Sequence, residues 1–223
     1  MKHDCLQHNL LPSPVRRALR VGILLSLCVL AAGCAARQSR NNEPFASPDA
    51  RMAQSLELAK QAQAAHAGGD LNKAIALYQD AVTTNPDFGA AWHNLALSLA
   101  QRKGDSDFVA AANAYKRAIA LLPSDPTPLR NLGMLYDDRG WGEDAMQYVT
   151  RALEIAPQDR DSLRLLTKIG RDLRVATPLH LDYLRRAQLS EVEPNWRGLI
   201  EKERLRVEND LREKRSSGVL MGG

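Results

Sequence analysis

Apolar residues recur along the chain in a pattern that returns three times. Ala74, Tyr78 and Ala81 precede Pro86; Ala111, Tyr115 and Ala118 precede Pro123; Ala145, Val149 and Ala152 precede Pro157. Each set reads Ala-x3-(Tyr/Val)-x2-Ala-x4-Pro, which places small and large apolar side chains near one face of a helix that the proline then stops. A second motif stands upstream of two copies: Trp92, Leu95, Ala96 and Leu99, then Leu129, Leu132, Gly133 and Tyr136. The first copy has Leu58, Ala62 and Ala65 there, with Gln61 where the others have leucine, so its first helix is predicted to pack less firmly.

Gly68-Gly69-Asp70 and Asp138-Arg139-Gly140 fit turns inside helix pairs, because glycine tolerates the positive φ that ends a helix. Between Leu99 and Ala111 the second copy carries extra residues, and Gly104-Asp105-Ser106-Asp107 marks an enlarged turn. Alanine is needed where two helices cross closely; a larger residue one turn away fills the gap. Pairs of this kind cannot bury their faces alone, so they stack and require a helix to cover the open end. Leu163, Leu166 and Ile169, set among charges in 160–173, predict that capping helix. Residues 174–215 predict further helices, one with Leu181, Leu184 and Ala187 on a face, the last with Trp196, Ile200, Val207 and Leu211. An amphipathic helix in that position either folds back on the array or pairs with another chain. Its mixed, internally paired charges favour folding back, and 216–223 is expected to be a disordered tail.

The N-terminal pattern is different. A charge-free apolar run from Val21 to Ala36 follows Arg16, Arg17 and Arg20, and it is shorter than the ~20 residues of a membrane-spanning helix. Val29-Leu30-Ala31-Ala32-Gly33-Cys34 resembles the lipobox of bacterial lipoprotein signal peptides, although Ala31 stands where leucine is commonest. That resemblance implies removal of 1–33 and lipidation of Cys34. The polar, proline-broken stretch that follows reads as a flexible tether over 34–50, holding the domain on the order of 20 Å from its lipid. Cys5 and Cys28 leave with the leader, so no disulfide is expected.

The repeat pattern resembles the tetratricopeptide repeat, whose period is ~34 residues. The implied fold is an all-α array of helical hairpins over 51–88, 89–125 and 126–159, closed by the cap. In that family the first helices line a concave groove for extended peptides. The resemblance places His93, Asn94, Leu97, Arg130, Asn131, Met134 and Asp137 on the groove wall, with Ala59, Gln63 and His66 in the first copy. Arg164 and Lys168 of the cap extend the row. A side-chain amide can both donate to and accept from one peptide unit, yet Asn94 and Asn131 are equally suited to bonding the neighbouring repeat. The basic row Arg130, Arg164 and Lys168 is expected to favour acidic segments, unless it is simply a solvated face.

No enzyme is expected. Among His66, His93 and His180 none has HExxH spacing, and no Gly-x-Ser-x-Gly elbow or glycine-rich phosphate loop occurs. No cofactor or metal site is expected. The formal charge of +4 includes Lys2, Arg16, Arg17 and Arg20 against Asp4 alone, so removing the leader leaves +1 and no reason to expect nucleic acid. The expected function is a protein- or peptide-binding scaffold, anchored by lipid in the bacterial envelope and facing the periplasm. Ala35 after the modified cysteine points to the outer membrane where one exists. Lipoproteins with such repeats suggest a role in assembling an envelope, secretion or pilus complex; an adaptor for a wall-modifying enzyme is the alternative.

Overall fold

Each alanine–proline unit forms a helix, and each helix packs on the one before it. In the computed structural model, which describes residues 47–104 and 106–218, the helical body runs from Pro48 to Ser216. Its hairpins are α1 (Pro48–Ala67) with α2 (Leu71–Thr84), α3 (Gly89–Arg102) with α4 (Asp107–Leu121), and α5 (Thr127–Asp137) with α6 (Gly142–Ile155). There follow α7 (Arg160–Asp172), α8 (Pro178–Ser190) and α9 (Pro194–Ser216). The architecture is an all-α helical-hairpin array. No described helix is long and apolar enough to cross a membrane. The expected leader, Cys34 and most of the expected tether lie outside the described residues.

The signature residues form the core. Ala74, Ala81, Ala111, Ala118, Ala145 and Ala152 are fully buried, and so are Tyr78, Tyr115 and Val149 between them. At Gly133 the helices approach more closely still: a Cβ there would stand 2.6 Å from Val149 Cγ2 and 3.1 Å from the Ala145 carbonyl oxygen. Loops are tied down individually. The Trp92 indole N–H donates to the Pro86 carbonyl at 2.8 Å, fixing the crossover from the first hairpin to the second.

Gly69 and Gly140 take φ of 82° and 76° at their turns, as helix-ending glycines do. The enlarged turn after α3 uses another device. Lys103 sits at φ 57°, and the buried Asp107 carboxylate accepts from the Gly104 N–H at 2.8 Å and from Arg102 Nε at 2.8 Å. A charge-assisted carboxylate thus closes the loop at the start of α4.

Gln61 is exposed, and α1 buries Ser55, Ala59 and Ala62. Polar bonds supplement that thin apolar face. The Ser55 hydroxyl donates to the Ala81 carbonyl at 2.9 Å, and His66 Nδ1 lies 2.9 Å from Ser98 Oγ of α3.

Three expectations are corrected. First, α1 begins at Pro48, inside the stretch expected to be tether, because proline is well tolerated in a first helical turn. Second, α9 continues to Ser216, the first residue of the expected tail. Third, α7 is not the end of the stack. It buries Leu163, Leu166 and Ile169 in a cluster shared with α6, α8 and α9, and the same broad face also buries Ser162, Thr167 and Gly170. There α8 packs on α7 as the second helix of a fourth hairpin, and α9 covers both. His180, Leu184 and Ala187 of α8 repeat the small-large-small register, with His180 in the alanine place. Gly170 makes the space for it, since a Cβ on Gly170 would collide with the His180 ring. The last helix therefore folds back, through Ile200, Val207 and Leu211.

Candidate functional site

Curvature follows from which helices touch. First helices adjoin, α3 with α5 and α5 with α7; among the described residues the second helices α2, α4 and α6 make no such contact. Between α4 and α6 lies an open channel of about 570 Å³, lined by Ile119, Leu129, Tyr148 and Arg151 among others. A stack pinched on one side and splayed on the other is curved, with α1, α3, α5 and α7 on its inner wall.

The expected groove residues fall into three groups on that wall. The amides form the first group. Asn94 stands beside the Tyr78 phenol, and Asn131 beside the Tyr115 phenol, so each is the polar neighbour of the large residue of the preceding hairpin. Burial raises both phenols above their ordinary pKa, and the amides only partly offset it. In the third interface Val149 and Leu165 take the corresponding places, and the contact is apolar.

The cations form the second group, and the expectation of a free basic row is corrected. Arg130 donates to Asp159 at 2.9 Å, while Asp159 also caps α7 by accepting from the Ser162 N–H at 3.1 Å. Lys168 reaches Asp137 at 2.5 Å, so α5 and α7 exchange one ion pair in each direction. Arg164 grips the buried Glu191 through two bonds of 2.6 and 2.8 Å, meets Glu193 at 3.0 Å and lies over the Trp196 ring. Its guanidinium, together with the N–H groups of Val192 and Glu193, holds the Glu191 carboxyl at a pKa of about 2. These charges tie helices together. Their partners, Asp159 and Glu191, are in loops far along the chain, which is why spacing alone did not reveal them.

The third group is apolar. Leu97, Ala100, Tyr115, Asn131, Met134 and Leu135 surround a recess of about 220 Å³. Met134 is 45% exposed at its mouth. Lys103 and Asp138, of opposite charge, stand on the lining as well. His93 packs edge-on against Tyr115 with ring centroids 5.8 Å apart, and its Nδ1 is buried without a hydrogen bond. Burial holds that imidazole below its ordinary pKa, with Asp125 partly opposing and Arg130 reinforcing. In the first copy, Ala59 lies in the core rather than on the wall, Gln63 is exposed, and His66 is engaged with Ser98. Among the described residues no group of three or more His, Cys, Asp or Glu side chains is placed to hold a metal ion.

Residues 104–169 match the tetratricopeptide repeat. No curated protein matches the chain. Solved structures of the same architecture are similar to it at low identity. A crystal structure of MamA is 17% identical with a TM-score of 0.51, covering 73% of this chain and 81% of that one. The first tetratricopeptide domain of Spaghetti (RPAP3), bound to the HSP90 peptide SRMEEVD, is 22% identical with a TM-score of 0.51, over 55% of this chain and 97% of that one. The Arabidopsis OM64 tetratricopeptide domain is 18% identical with a TM-score of 0.51, over 55% and 98% respectively. The fold is a tetratricopeptide helical array.

Proposed function

We propose that this chain is a lipid-anchored scaffold of the bacterial cell envelope that holds an extended segment of another protein in the groove of its hairpin array, without catalysis of its own. The observation that carries the binding part is the recess on the inner wall, where Leu97, Asn131 and Met134 face one opening. The Spaghetti domain, which has the same architecture, is bound to a peptide, and that supports the same use of the wall here. The anchoring part rests on Val29 to Cys34 and its basic flank. Acylation of Cys34 through a short polar tether would keep the groove near a membrane surface while leaving it free to turn. Assembly of an envelope complex is the role that suits such a part.

Two measurements on the full chain in its own envelope test this. A photo-crosslinking residue at Met134 should capture a partner that the same residue at Ile119, on the outer channel, does not. Alkyne-palmitate labelling should be abolished by Cys34→Ser, with the protein then lost from the membrane fraction. Equal capture from both faces would overturn the groove reading, and unchanged labelling would overturn the anchor.

A further inference from the structure

Resting on the groove reading, we infer that the recess between the second and third hairpins takes a single apolar side chain, leucine- or phenylalanine-sized, from a segment without net negative charge. The wall's own chemistry carries this. Every cation expected to draw an acidic ligand is already committed: Arg130 to Asp159, Lys168 to Asp137, Arg164 to Glu191 and Glu193. An acidic segment would have to displace these carboxylates, one of which, Glu191, is buried. Breaking a buried pair to make an exposed one is unfavourable.

What the groove leaves unspent is apolar. Leu97 and Met134 flank the opening, Tyr115 and Leu135 close it, and Ala100 makes room by being small. Its volume, about 220 Å³, is below the roughly 300 Å³ at which small-molecule sites begin; one large side chain fills it. Lys103 and Asp138 cancel each other's charge at this site, so no net field selects the ligand's sign. The Asn131 amide, on the lining beside Tyr115, has hydrogen-bonding capacity for a backbone group passing the opening. An extended segment lying across α3 and α5 would thus insert one residue and keep its neighbours in solvent.

The test is selection from a phage-displayed peptide library on the purified full chain. Enriched peptides are expected to share one Leu, Ile, Met or Phe in a neutral context. Their affinity should change by less than about twofold between low and physiological salt. Met134→Asp and, separately, Leu97→Ser should each weaken binding by about tenfold or more, the worth of a filled apolar pocket, with helical circular dichroism retained. Enrichment of acidic peptides whose binding collapses with salt would overturn this inference and leave the groove reading standing. No enrichment, or binding indifferent to both substitutions, would overturn the two together.

Discussion

Asn131 is the polar neighbour of the Tyr115 hydroxyl across the junction between the second and third hairpins, and Asn94 repeats the arrangement with Tyr78 one junction earlier. Both phenols are buried, where a hydroxyl needs a polar neighbour, and the amide supplies one. Asn131→Ala is expected to cost about 1–3 kcal/mol by taking the polar neighbour from that buried hydroxyl, whereas Asn131→Ala combined with Tyr115→Phe should recover part of the loss. Urea denaturation of the single and double variants checks this. Full additivity of the two changes would show that the residues do not act as a pair.

Two glycines should respond to alanine with opposite signs. Gly133 faces Val149 and the Ala145 carbonyl at distances too short for a methyl group, so Gly133→Ala should destabilise by about 1–3 kcal/mol. Gly198 lies within α9 with nothing within 4 Å of a built Cβ, so Gly198→Ala should stabilise by about 0.5–1 kcal/mol. Paired thermal melts read both. Equal effects of one sign would show that local propensity, rather than helix approach, governs α5 and α6.

The difference between Gly133 and Gly170 also explains what was legible in the sequence. The first three hairpins were readable because alanine, tyrosine or valine, alanine and proline recur in one register, and that register encodes close approach followed by helix arrest. The fourth was missed because its register is kept by other means. His180 stands in the alanine place, Gly170 supplies the missing room from the facing helix, and Val192 rather than proline follows Ala187 at the usual spacing. Compensation between two helices leaves no signal in either alone. The groove was legible to the same degree: inner-wall positions follow from register, but the pairing of Arg130 with Asp159 and of Arg164 with Glu191 depends on loops whose path only the fold determines.

Glu191 is expected to make the C-terminal hairpin acid-labile in a defined window. Its carboxyl sits at about 2 in the fold against an ordinary 4.5, chiefly through Arg164. A depressed carboxyl stabilises the fold fully above pH 4.5 and loses that contribution as pH falls towards 2. Because Arg164 lies over Trp196, tryptophan fluorescence should change over that interval. Glu191→Gln should lower stability near neutrality and flatten the acid dependence. An unaltered acid profile in the variant would remove Glu191 as the cause.

His180 gives a second pH dependence at higher pH. It is buried against Gly170, with Glu203 of α9 at 3.8 Å and Arg206 beyond, where Arg206 is itself engaged with Glu203, Asp210 and the Val175 carbonyl. Burial pushes the imidazole below its ordinary 6.5; Glu203 partly opposes this and Arg206 adds to it. The unfolded chain therefore takes up a proton at a pH where the folded one resists it. Stability is expected to be level above pH 6.5 and to fall as pH drops below it, until the folded imidazole also protonates. Buried His93 contributes with the same sign, so His180→Phe should reduce the slope rather than abolish it. Melting temperatures of both proteins across pH 5 to 8, each compared with its own value at pH 8, check the prediction; identical slopes would assign the dependence to His93 or to groups outside the fourth hairpin.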